Sequence, residues 1–276
     1  MLQKLSILAL FFILTSCASK KTAPQMSKGA EIYFNSGTQS LMDQRYTEAL
    51  QHLTKANELD PGNSQIMNNL GMAYYLKGHR DLGVRTIEEV IELDPKNSDA
   101  KSNLAAIAMK ENDNAKAEKL FNDVLKDLVY DKQAITNYNL GILAMRRHDT
   151  AQAKTFFQKS IVEDNNYCPS QFRLGVFSLE ERKLKKALSY FRDASMGVCY
   201  QDPSPTYYQA LTLIELKRFD EARLKLNEVE TRFPRSPYAQ KSRQKMSQIT
   251  QMELKHSDSN NNTFHANGSK MESPEF

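Results

Sequence analysis

A small residue returns at Gly37, Gly71, Ala105, Gly141, Gly175 and Ala210, at intervals of 34, 34, 36, 34 and 35 residues. Twelve positions after each stands a second small residue: Ala49, Gly83, Ala117, Ala153, Ala187 and Ala222. Four further on comes a large apolar one: Leu53, Ile87, Phe121, Phe157, Phe191 and Leu226. A period of this length constrains the chain more than any local motif. Each unit is too short to bury its apolar faces alone, so units must stack and share a core along the array. The chain of 276 residues has ten Gly, nine Pro and no Trp, which with its many Ala, Leu, Lys, Glu and Gln favours helix over strand. Asp60-Pro61-Gly62-Asn63 and Asp94-Pro95-Lys96-Asn97 close two units with helix-stopping turns, and Pro234 closes a third.

The three columns resemble the tetratricopeptide repeat. That resemblance implies two antiparallel helices per unit, with small residues at positions eight and twenty where the backbones approach. It predicts an all-α fold: a right-handed superhelical solenoid of six repeats over residues 30–236. Tyr33, Leu70, Tyr74, Leu104, Leu140 and Leu174 should fill the helix pairs. The two extra residues near Val129 to Lys132 should sit in the loop between repeats three and four. Residues 237–254, with Tyr238, Met246, Ile249 and Met252 among polar neighbours, suit a capping helix. Residues 255–276 lack the apolar content for a core, and disorder is expected.

Upstream of the repeats, Met1 to Lys4 are basic and Leu5 to Leu14 form an apolar run of ten residues. A bilayer core needs about 20 helical residues, so residues 1–16 read as a secretory signal rather than a span. Leu14-Thr15-Ser16-Cys17 resembles the bacterial lipobox, an ordinary signal peptide with a chance cysteine being the alternative. The resemblance implies cleavage before Cys17, its acylation, and anchoring by lipid chains, with residues 17–29 as a flexible tether. Ala18 rather than Asp follows, which points to the periplasmic face of the outer membrane.

Export would put Cys168 and Cys199 in an oxidising compartment. In the repeat frame one opens the first helix of repeat five and the other follows its second helix, ends that antiparallel packing brings together. A disulfide is expected, with two buried free cysteines as the alternative.

Catalytic chemistry finds no support. The histidines at 52, 79, 148, 256 and 265 make no HExxH spacing, and there is no P-loop, GxGxxG or GxSxG. A formal charge of +4, from 37 basic and 33 acidic residues spread along the chain, does not suggest nucleic acid. No enzyme activity, cofactor, metal or small-molecule substrate is expected. A protein-binding module remains.

In this repeat family the binding groove is lined by first-helix positions that include five, nine and twelve. Carried onto this sequence, they give Phe34, Met72, Tyr75, Tyr138, Ile142, Met145, Phe172, Val176, Tyr207, Leu211 and Ile214 as the apolar lining. Tyr138, Phe172 and Tyr207 should face solvent, while residues at positions nine and twelve have neighbour packing as an alternative role. The Lys and Asn that clamp a C-terminal carboxylate in some relatives are absent here, since Phe34, Thr38, Asn68 and Met72 stand in their places. An apolar or amphipathic segment is the expected ligand.

A lipobox followed by six such repeats with a cysteine pair late in the array resembles the pilotin lipoproteins of the type IV pilus system (PilF, PilW and Tgl). The resemblance implies binding of outer-membrane secretin subunits, with promotion of their insertion and multimer assembly. Two other readings stay open: a scaffold like NlpI, which gathers cell-wall hydrolases, and a subunit like BamD of the outer-membrane protein insertion machine.

Overall fold

A computed structural model describes residues 26–268. Among them are thirteen α-helices, one short 3-10 helix and no strand. The first pair is α1 (Lys28–Met42) and α2 (Tyr46–Leu59), followed by α3 (Ser64–Lys77) and α4 (Arg80–Leu93). Then come α5 (Ser98–Lys110), α6 (Asn114–Val124), α7 (Gln133–Arg146) and α8 (Thr150–Glu163). The last two pairs are α9 (Cys168–Glu180) with α10 (Leu184–Ala194), and α11 (Pro203–Glu215) with α12 (Phe219–Arg232). The 3-10 helix (Gly197–Gln201) separates those pairs, and α13 (Pro237–Gly268) ends the series. This is an all-α, tetratricopeptide-like solenoid of packed helix pairs. The chain divides into two compact units, one up to Thr86 and one from Ile87 onward, the division falling within α4. No helix among the described residues is long and apolar enough to cross a membrane.

The repeat columns are the core. Leu53, Ile87, Phe121, Phe157, Phe191 and Leu226 are fully buried, as are Ala49, Ala117, Ala153, Ala187 and Ala222. The reason for small residues opposite them is steric. A Cβ on Gly141 would lie 2.6 Å from Phe157 Cε1, and one on Gly175 would lie 2.6 Å from Phe191 Cε1. In the first unit a Cβ on Gly83 would lie 2.6 Å from the carbonyl oxygen of Gly71. Leu70, Leu104, Leu140 and Leu174 are buried as expected. Tyr33 is not: it is 37% exposed, with its ring centroid 6.2 Å from that of His52.

Every repeat turns between its helices in the same way. Position fifteen has positive φ in all six: Gln44, Gly78, Asn112, His148, Arg182 and Lys217. The next residue's N–H donates back to the carbonyl of position eleven, as in Arg45 to Ser40, Asp149 to Ala144 and Arg218 to Leu213. This six-to-one bond satisfies a carbonyl that the helix end would leave open. First helices are started by side-chain caps where one is available. Ser27 accepts from Ala30 N, Asn63 from Gln65 and Ile66 N, and Asn97 from Ala100 N.

Two boundaries differ from expectation. Helix α1 starts at Lys28, two residues before position 30, because Ser27 supplies the cap. Helix α13 runs to Gly268, past the expected end at 254. From Tyr238 to Asn267 it meets neither Pro nor Gly, so its backbone ladder has no local breaker even where the sequence is polar. The signal segment 1–16, Cys17, most of the tether and residues 269–276 lie outside the described residues.

Candidate partner-binding surface

The apolar face at positions five, nine and twelve is built separately in each unit. In the first, Phe34 is half-buried and packs against two clusters, one with Leu53 and Leu70 and the other with Ala56 and Ile66. Met72 is half-buried. Tyr75 is only 5% exposed, a correction to its assignment as a groove residue. Gly83 lets the second helix close onto it, the missing Cβ lying 2.8 Å from Tyr75 Cβ, so position twelve is sealed in this repeat.

In the second unit the face is continuous in chemistry from repeat four to repeat six. Tyr138, Ile142 and Met145 are half-buried and pack against a cluster that includes Phe157, Leu174 and Phe177, the last two from the following repeat. The neighbour-packing alternative therefore holds for one side of these residues, and the other side stays open to solvent. Tyr138 also meets Phe157 and Tyr167, each at 5.6 Å between ring centroids. Phe172 is half-buried between Phe191 at 5.7 Å and Tyr208 at 5.2 Å, the latter edge-on. Val176, Leu211 and Ile214 are half-buried, Leu211 and Ile214 against the last cluster of the unit.

Tyr207 does not face solvent. It is 6% exposed and belongs to the core cluster with Leu213, Leu226 and Ile249. Helix α13 covers it, bringing Tyr238 to 5.1 Å. Its neighbour Tyr208 is the half-buried ring of the pair, in contact with Phe172 and Phe191. Tyr208 and Tyr167 are the face residues that the position-five frame passed over. Two adjacent tyrosines sit about 100° apart on a helix, and the repeat frame alone does not tell which of them the capping helix will cover.

Burial raises the two phenols that the position-five frame passed over, which leaves both as hydrogen-bond donors at neutral pH. Burial, then Tyr138 and Asp164, push the Tyr167 phenol up to about 12. Burial foremost, with Tyr238 and Glu180, also raises Tyr208, against a smaller opposing effect of Arg173. The resulting surface of aromatic, methionine and aliphatic side chains with protonated phenols suits an apolar protein segment bearing a few backbone or side-chain acceptors. Among the described residues, no group of three His, Cys, Asp or Glu side chains is placed to hold a metal ion.

Cys168 and Cys199 are bonded, with their Cα atoms 6.1 Å apart. Cys168 is the first residue of α9, and Cys199 lies in the 3-10 helix after α10, so the bridge closes repeat five on itself.

Comparison with known proteins agrees with this architecture. Tetratricopeptide-repeat family profiles match residues 68–128 and 207–236. No protein of curated function matches the chain by sequence. Among solved structures, PilF of Pseudomonas aeruginosa superposes with a TM-score of 0.67 at 18% identity, covering 79% of this chain and 97% of PilF. PilW, a type IV pilus biogenesis factor, gives 0.62 at 18% identity, covering 78% of this chain and 98% of PilW. A chain of the APC/C hetero-tetramer Cut9–Hcn1 gives 0.62 at 15% identity, covering 77% of this chain but 42% of that one. The repeating columns, the six equivalent helix-pair turns and the two matched segments agree on tetratricopeptide repeats, in a fold like that of PilF and PilW.

Proposed function

We propose that the chain is a pilotin: an outer-membrane lipoprotein, anchored through acylated Cys17, that binds secretin subunits and promotes their insertion and multimer assembly for type IV pilus biogenesis. The observation that carries the reading is the fold likeness over nearly the full length of both PilF and PilW, 97% and 98% of those chains. The lipobox-like Leu14-Thr15-Ser16-Cys17 and the Cys168–Cys199 bridge support it, since both suit an exported protein. The half-buried face from Tyr138 to Ile214, with Tyr208, supplies the surface for the secretin segment. Its role is that of a binding protein without catalysis or cofactor.

The test is deletion of the gene with complementation by wild-type and Cys17→Ala chains. Loss of heat-resistant secretin multimers and surface pili on deletion, restored by wild type only, is the expected result. Secretin multimers and pili at normal levels in the deletion strain would overturn the reading.

A further inference from the structure

The second unit has two kinds of edge. At one, each second helix ends and the next first helix begins; at the other lie the turns inside each repeat. The first edge carries a large apolar side chain at four successive junctions, in the last turn of the second helix or just after it: Leu93 (62% exposed), Leu128 (89%) beside Val129 (92%), Val162 (81%) and Met196 (57%). Leu93, Leu128, Val162 and Met196 follow one another at 35, 34 and 34 residues, the period of the repeat itself. Single exposed hydrophobics are normal, but a row renewed by every repeat is a surface feature of the array. None of the exposed large hydrophobics falls in the turns of the opposite edge, at residues 110–114, 146–150, 180–184 and 215–219.

Charge separates the edges too. The turns 92–99, 126–132, 162–167 and 195–202 hold eight acidic and three basic residues, whereas the four opposite turns hold six and seven. The apolar row thus lies in a negative field on a chain whose formal net charge is +4.

The most protruding pair stands on an ordered backbone. The Asp127 carboxylate accepts from Ser98 Oγ at 2.7 Å and from Val129 N at 3.3 Å, and its carbonyl accepts from Gln133 Nε2 at 2.6 Å. Tyr130 and Lys132 both donate to Asp99, at 3.1 and 2.6 Å. These bonds hold the connection down on both sides and leave Leu128 and Val129 outward.

We propose that this edge docks a protein segment in which apolar side chains are interspersed with lysine or arginine. Acidic residues adjoin the prongs of three connections: Glu92 and Asp94 beside Leu93, Asp127 and Asp131 around Leu128 and Val129 with Lys126 and Lys132 beyond them, and Glu163 and Asp164 beside Val162. A basic, apolar segment satisfies both features, while an anionic bilayer surface is repelled by the same acids. The edge shares with the face only Tyr167, which ends the connection at 162–167, and none of the apolar prongs belongs to positions five, nine and twelve, so the inference stands whether or not that face binds a secretin.

A fluorescein-labelled peptide of alternating Leu and Lys, with a Leu-Glu peptide as control, tests it by anisotropy against the purified full chain. The Leu-Lys peptide should bind and the Leu-Glu peptide should not. The triple variant Leu128→Ser, Val129→Ser, Val162→Ser should weaken binding about tenfold or more with unchanged helical circular dichroism and melting, since those side chains are already in water. Lys183→Ser on the opposite edge should leave binding unchanged. Absent binding, equal binding by the triple variant, or equal binding of the Leu-Glu peptide overturns the proposal. So does flotation with phosphatidylglycerol vesicles that only the triple variant loses, which would assign the edge to a bilayer. Self-association in sedimentation that the triple variant abolishes would assign it to a second copy and overturn the proposal equally.

Discussion

A single methyl group decides how closely the two helices of a repeat pack. Gly141 and Gly175 stand opposite phenylalanine rings, and Ala105 and Ala210, at the same repeat position, share core clusters with Phe121 and Leu226. Phe157 cannot readily yield, because it is fully buried with Tyr138 at 5.6 Å and Phe177 at 6.2 Å between ring centroids. Gly141→Ala therefore overpacks the core, costing about 1–3 kcal/mol, while the better helix propensity of Ala returns about 1 kcal/mol. A lower urea midpoint with an unchanged slope is the expected outcome; a midpoint equal to or above wild type would show that Phe157 moves freely. Residues of this kind were legible in the sequence, because the column of small residues recurs. Burial of Tyr75 and Tyr207 was not, because it depends on contacts that do not repeat: Gly83 against one, helix α13 and Tyr238 against the other.

Among elements, the turn inside each repeat is the most uniform and the least visible in the sequence. Position fifteen is left-handed in all six repeats, yet its occupants are Gln, Gly, Asn, His, Arg and Lys. Only Gly78 and Asn112 are residue types that announce the conformation. The backbone bond to position eleven and the fixed helix lengths impose it on the others. A non-glycine residue there costs roughly 1–2 kcal/mol, part of which glycine gives back through its freer unfolded chain. Gln44→Gly and Lys217→Gly should each raise stability by about 0.5–1 kcal/mol, and the reverse change Gly78→Ala should lower it. Thermal melts of the single variants and of the Gln44→Gly, Lys217→Gly double variant check this. The two sites lie in different units, so their effects should add. A fall in melting temperature for both glycine variants would refute the strain. Helix α13 teaches the complementary lesson: its polar composition suggested an end at 254, while the absence of breakers carries the helix to Gly268.

At the scale of the whole molecule, the disulfide ties fold to compartment. Stacked repeats need no cross-link, since each is held by its neighbours, and the ion pairs between repeats, such as Arg147–Glu118 at 2.7 Å and Arg182–Glu215 at 2.6 Å, contribute little at exposed positions. Repeat five has one of the two long exits. The connections from α6 to α7 and from α10 to α11 each run over eight residues, and the second holds the 3-10 helix, which opens with Gly197 at φ 58°. The Cys168–Cys199 bridge spans 31 residues around this connection. Closing a loop of that length removes unfolded-state entropy worth about 3–4 kcal/mol in the chain-entropy model. On the proposed envelope location, this stabilisation exists only after export. The same chain made without its first sixteen residues in a reducing cytosol should fold to the same helical content but unfold at a lower denaturant midpoint. Oxidation of that reduced protein should restore the midpoint, and Cys168→Ala with Cys199→Ala should abolish the restoration. Thiol titration supplies the check: the exported protein, denatured without reductant, should show no free thiol from Cys168 or Cys199. Two free thiols there, or equal midpoints for reduced and oxidised chains, would mean that the repeat is held by packing alone.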